Sequence, residues 1–192
     1  MPLLVNVTLP NAFLYYDEWS VVNAGELANH PNLIPRTPTA NVFNVNDLNA
    51  LSSTVTEIIV ENRCCRDPSF TVLDFTRFTN VRRIVIGHDA FMYVEEVKLI
   101  GLNELESVVI GENSFTQHKN GYGNGPNRHF YLKDCLKLKS LKIGRYSFSD
   151  YTVIEIENVD ALEVIEIGDL NEESNNFYSA SLQLSSVIVC VE

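Results

Sequence analysis

What this chain has little of narrows it first. No stretch approaches the ~18 uninterrupted apolar residues that a membrane-spanning helix needs. Basic residues are scarce: 14 Lys and Arg stand against 25 Asp and Glu, a net charge of −11. Nucleic acid and anionic bilayers both require a basic footprint, so neither is expected as a partner. Cysteines number four, at positions 64, 65, 135 and 190, and none makes the Cys-x-x-Cys pair of a zinc site. The adjacent Cys64 and Cys65 are read as two free thiols, with a vicinal disulfide as the alternative. The Gly-x-Ser-x-Gly elbow and the His-Glu-x-x-His pair are also missing, so no catalytic residue, cofactor or metal site is expected. Met1-Pro2-Leu3-Leu4-Val5 has no basic residue before its short apolar run and does not read as a secretion signal. The sequence does not name the compartment; it favours the cytoplasm over the cell surface, which stays open if the chain is a fragment.

What is abundant is repetition. Val81-x-x-Ile84-x-Ile86-Gly87-x-x-Ala90-Phe91 recurs as Leu105-x-x-Val108-x-Ile110-Gly111-x-x-Ser114-Phe115 and as Leu138-x-x-Leu141-x-Ile143-Gly144-x-x-Ser147-Phe148. A fourth copy opens at Leu162-x-x-Ile165-x-Ile167-Gly168 and then blurs. Gly87 to Gly111 and Gly144 to Gly168 are both 24 residues, and Gly111 to Gly144 is 33, the same unit with nine residues inserted. A second apolar pair follows each phenylalanine: Val97-x-Leu99, Phe130-x-Leu132, Ile154-x-Ile156. Each unit therefore carries two short alternating runs, the pattern of strands with one buried face. A unit this short cannot bury its own apolar face and must stack on a neighbour.

The inward set of one unit is Phe148, Ile154, Ile156, Val159, Leu162, Ile165 and Ile167. The unit before it supplies Phe115, Phe130, Leu132, Cys135, Leu138, Leu141 and Ile143. Upstream, Leu73, Phe75, Phe78, Val81, Ile84 and Ile86 fill the same slots, and Cys64-Cys65 stand where the small residue and phenylalanine would be. Val55, Ile58 and Val60 fit an earlier strand that Phe43, Val45, Leu48 and Leu51 would begin. Downstream, Phe177, Leu182, Leu184, Val187 and Cys190 start another unit. Residues 1 to 40 do not fit and hold five of the seven prolines with the run Phe13-Leu14-Tyr15-Tyr16-Asp17-Glu18-Trp19. They are expected to cap the stack, with a short helix around Val22 to Ala28.

The glycine, small residue and phenylalanine after an Ile-x-Ile strand resemble the BspA-like leucine-rich repeats of bacteria and protists. The segment from Asp134 to Tyr151 carries the likeness best, and Asn176-Phe177-Tyr178-Ser179-Ala180-Ser181 is similar to a variant unit. The resemblance covers residues 41 to 192, with specific motifs from 81 to 168. It implies a right-handed leucine-rich-repeat solenoid, mostly parallel β with short turns, that binds protein or serves adhesion and carries no catalytic residues.

Two surfaces compete as the place where a protein partner docks. The insertion at 116–129 holds three glycines, two histidines, Tyr122 and Arg128. Such an insert is either a tolerated surface loop or a recognition loop, with Tyr122, Arg128 and His129 as contacts. The second surface is a stripe of outward strand residues, Ile59, Val85 and Val109, which a monomer would not normally expose. The aromatic N-terminal segment is expected to cover that stripe, which leaves the loop as the docking site. The alternative is a structural protein that associates with itself through its open C-terminal repeat. Charge is uneven as well: from Arg145 onward one basic residue faces ten acidic ones. That acidic quarter either serves solubility or steers cationic partners.

Overall fold

The computed structural model describes residues 39–119, 128–178 and 180–185. They are mostly parallel β-strands in two sheets, within a compact unit that begins at Thr39. The expected cap at residues 1–40 and its helix fall almost wholly outside the described residues.

The first sheet runs β1 (Thr39–Val42), β2 (Glu57–Val60), β4 (Arg83–Ile86), β6 (Ser107–Ile110), β8 (Ser140–Ile143) and β10 (Val164–Ile167) in that order. The second runs β3 (Val72–Asp74), β5 (Glu96–Ile100), β7 (His129–Lys133), β9 (Val153–Glu157) and β11 (Ser181–Ser185). Strands after β1 thus alternate between the sheets, one of each per repeat. Every pair is parallel and keeps the repeat in register: Ile84 lies beside Ile58 and Val108, and Phe130 beside Val97 and Ile154. Alternation in the sequence becomes alternation of burial, because successive side chains of a strand point to opposite faces. Ile58, Val60, Ile84, Val108, Val97 and Leu132 are all buried between the sheets.

The glycines and phenylalanines form the corner that joins one sheet to the other. A Cβ on Gly111 would sit 2.7 Å from the Gly87 carbonyl carbon and the His88 nitrogen, and one on Gly144 would sit 2.7 Å from the Glu112 nitrogen. Successive units pack backbone on backbone there, which only glycine permits. Two residues per corner then take the left-handed region: Asp89 with Phe91, Asn113 with Phe115, Tyr146 with Phe148, and Asn175 with Phe177. That conformation costs on the order of 1–3 kcal/mol per non-glycine residue and persists only when the surroundings over-determine it. Here a continuous stack of rings does so: Phe91–Phe115 at 5.2 Å, Phe115–Phe148 at 4.6 Å and Phe148–Phe177 at 5.0 Å. The small residue between them closes a polar ladder. Ser114 Oγ donates to the Gly87 carbonyl, Ser147 Oγ to that of Gly111, and Asn176 Nδ2 to that of Gly144.

Three expectations are corrected. The residues read as the start of a strand, Val45 and Leu48, lie in a helix, α1 (Val45–Ala50). Its Asn44 cap accepts from the Asn46 and Asp47 backbone while Asp47 accepts from the Asn44 nitrogen, so local capping outweighs the repeat pattern. Cys64 and Cys65, read as free thiols, are joined as a vicinal disulfide, with Cys65 in the left-handed corner position of the phenylalanines. Ile165 and Ile167, placed in the core by their slot, are 49% and 44% exposed, and Leu182 and Leu184 beyond them 63% and 67%. Among the described residues no further strand covers β10 and β11.

Candidate binding surfaces

On the outer face of the first sheet, Ile59, Val85 and Val109 stand side by side in register and half-buried. Asn41 continues the row at one end, and Lys142 and Glu166 at the other. Lys142 Nζ reaches Glu166 at 3.0 Å, so the apolar stripe ends in an ion pair. The sequence-derived stripe is therefore one contiguous row. The segment expected to cover it lies outside the described residues.

The loop that interrupts the third unit rises from a polar foundation. Thr116 at its start is buried, and its Oγ1 donates to the Tyr146 carbonyl while accepting from the Ser149 nitrogen. Arg128 at its end is buried too, which corrects its reading as an exposed contact. Its Nη1 lies 2.5 Å from Asp150 Oδ1, and its Nη2 donates to the carbonyls of Met92 (3.0 Å) and Val94 (3.1 Å). The Nη1–Oδ1 approach is off the hydrogen-bonding direction, so Coulomb attraction carries that contact. The other carboxylate oxygen of Asp150 accepts from the Gln117 nitrogen at 3.1 Å. One buried aspartate thus pins both feet of the loop. Tyr151 completes the foundation: its hydroxyl donates to the Val94 carbonyl and its ring lies under the Arg128 guanidinium. Burial pushes the Tyr151 phenol well above its usual range, with Arg128 opposing and Asp150 and Glu95 adding to the rise. Counted from the phenylalanine, Asp150 and Tyr151 stand where the Phe91 unit, two units earlier, has Tyr93 and Val94, and that departure is the signal that sequence reasoning passed over. Tyr122, the loop's aromatic contact, lies outside the described residues.

His129 sits at the foot of the loop on the outer face of the second sheet. It shares a shallow cleft of about 300 Å³ with Thr71, Val72, Glu95, Glu96 and Tyr131. Its Nδ1 lies 2.7 Å from the Tyr131 hydroxyl. The two rings share a face because they are two apart on one strand, and Glu96 joins them because it pairs with His129 in register. Around the cleft Lys98 binds Glu96 at 3.0 Å, while Lys133 binds Glu155 at 2.6 Å and Glu157 at 3.3 Å. The hydrogen bond that Lys98 donates to Glu96 raises its ammonium, and the one that Lys133 donates to Glu155 raises that of Lys133. Partial burial, with Glu155 and Glu96 nearby, raises the Tyr131 phenol. At neutral pH the face is therefore a lattice of ion pairs around the Tyr131 hydroxyl, which stays protonated and meets His129. The sequence alone does not draw this cleft, which depends on which strands become neighbours.

The outer faces thus offer an apolar row, a pinned loop and an acceptor-rich cleft. Among the described residues no three of His, Cys, Asp and Glu gather where they could hold a metal ion, and no helix is long and apolar enough to cross a membrane. No protein-family model, curated protein or solved structure matches the chain.

Proposed function

We propose that this chain is a non-enzymatic scaffold, a right-handed solenoid of the leucine-rich-repeat type, that binds a protein partner through its insertion loop and the cleft at the loop's foot. The observation that carries the reading is the pinning of both loop feet by Asp150. A buried ion pair is costly to desolvate and is weak evidence for stability, so a loop of no consequence needs no such foundation. Fixing the feet presents the residues between them from a defined place, which lowers the ordering cost of binding. The alternating parallel strands and the glycine–small–phenylalanine corners support the leucine-rich-repeat assignment that the sequence resemblance suggests.

Deleting residues 119–127 separates this from a docking site on the stripe. The deletion is expected to leave the melting temperature nearly unchanged and to weaken capture of a native partner. Capture that survives the deletion but fails in a folded Val85→Asp variant moves the interface to Ile59, Val85 and Val109.

A further inference from the structure

The end of the stack at β10 and β11 is unlike any other part of the fold. The inward positions of β8, Leu141 and Ile143, are buried, whereas Ile165 and Ile167 in the same slots of β10 are open. The edge of β10 away from β8 carries no strand among the described residues. Natural sheets protect such edges with inward charges or covering elements, and neither is present among the described residues. Around the edge acidic groups predominate: Glu163, Glu166, Asp169, Glu172 and Glu173 are all exposed, and among the described residues only Glu166 and Glu172 meet a cation, Lys142 and Arg145.

The chemistry that β10 accepts is visible on its occupied side. There β8 lays Leu141 beside Ile165, Lys142 beside Glu166 and Ile143 beside Ile167. Lys142 Nζ meets Glu166 at 3.0 Å, and the Glu166 side chain remains 58% exposed. A strand arriving on the other side meets the same three partners: an aliphatic, a carboxylate and an aliphatic. We propose that the free edge of β10 takes an extended segment of a protein partner with the pattern apolar–basic–apolar, which adds a seventh parallel strand to the first sheet. Main-chain hydrogen bonds would supply affinity, and the alternate side chains specificity. A second copy docked through the same end would set one acidic end against the other, and one docked through β1 would bring Asn41, not a base, to Glu166. Residues 186–192 contain no lysine or arginine to answer Glu166. The partner is therefore a basic, strand-forming segment. This deepens the protein-binding reading above, and because β10 shares no residue with the loop or its feet, either can fail without the other.

The test uses the full chain and a fluorescent synthetic peptide that copies residues 137–144, Lys-Leu-Lys-Ser-Leu-Lys-Ile-Gly. Saturable binding is expected, with amide shifts centred on residues 164–167. A peptide with glutamate at its counterpart of Lys142 is expected to bind at least tenfold more weakly, and against a folded Glu166→Lys chain the order of the two peptides reverses. Four results overturn the proposal: no saturation at millimolar peptide, equal binding of both peptides, β10 amides already protected in the monomer without peptide, or a concentration-dependent dimer that protects them. The third assigns the edge to the chain's own tail and the fourth to a second copy.

Discussion

At the residue scale the phenylalanine column does the most. Phe148 touches Phe115, Phe130, Tyr151 and Phe177, with ring centroids between 4.6 and 5.1 Å. Its left-handed backbone is tolerable only because the ring is buried on every side. Phe148→Ala is expected to cost about 3–5 kcal/mol in denaturant titration; a loss below about 1 kcal/mol would sink this account of the corner. Cys135 makes a second residue-scale case. Burial pushes its thiol up to about 11, against the usual 9.0. The protonated form is the one the fold favours, so its contribution is intact below pH 9 and is lost as pH rises toward 11. Lys98, Lys133 and Tyr151 are shifted in the same direction, so stability is expected to fall on the alkaline side. Native Cys135 should resist alkylation at pH 8 and react once the chain unfolds. Mass spectrometry of the labelled peptide checks this.

Elements were legible in the sequence wherever the apolar alternation was strong, and obscure wherever local chemistry took over. The pairs Ile84–Ile86, Val108–Ile110 and Leu141–Ile143 gave three strands their faces and register, because a parallel ladder of equal repeats has only one pairing that keeps all of them inside. Helix α1 was missed because Val45 and Leu48 suit either period, and the deciding contacts are the hydrogen bonds around Asn44. The corner of the fourth unit was blurred by a five-residue extension: Gly168 to Phe177 spans nine positions where Gly144 to Phe148 spans four. Structure restores its register through Asn176 and Phe177. The loop foundation was illegible because Asp150 gains meaning only when Arg128 and Gln117 are brought to it. Removing one partner of a buried pair strands the other, so Asp150→Ala is expected to destabilise by about 3–5 kcal/mol. Replacing Arg128 and Asp150 together by Met and Leu should restore most of that loss. If the single variant proves neutral by calorimetry, the ion pair does not hold the loop.

At the scale of the whole molecule, a stack of parallel units in which each touches only its neighbours has stability that depends on position along the stack. The four successive inward isoleucines Ile86, Ile110, Ile143 and Ile167 occupy equivalent slots in adjacent strands. The first three are nearly inaccessible, and the last is almost half open. Identical chemistry in an identical slot should therefore give different energies. Ile143→Ala removes buried methyl groups and leaves a cavity between two flanking units, for an expected cost of about 2–5 kcal/mol. Ile167→Ala removes groups that are already partly in water and that no described strand covers, so its cost should stay below about 1 kcal/mol. Hydrogen exchange should show the same gradient, with β10 and β11 opening well before β4, β6 and β8, since local openings concentrate where apolar contacts are fewest. Binding of a strand at β10 would convert the last layer into an interior one. The exchange of its amides should then slow toward that of β8, and Ile167→Ala should become as costly in the complex as Ile143→Ala is in the free chain. Equal costs for the two substitutions in the free chain would mean that the end of the stack is already closed.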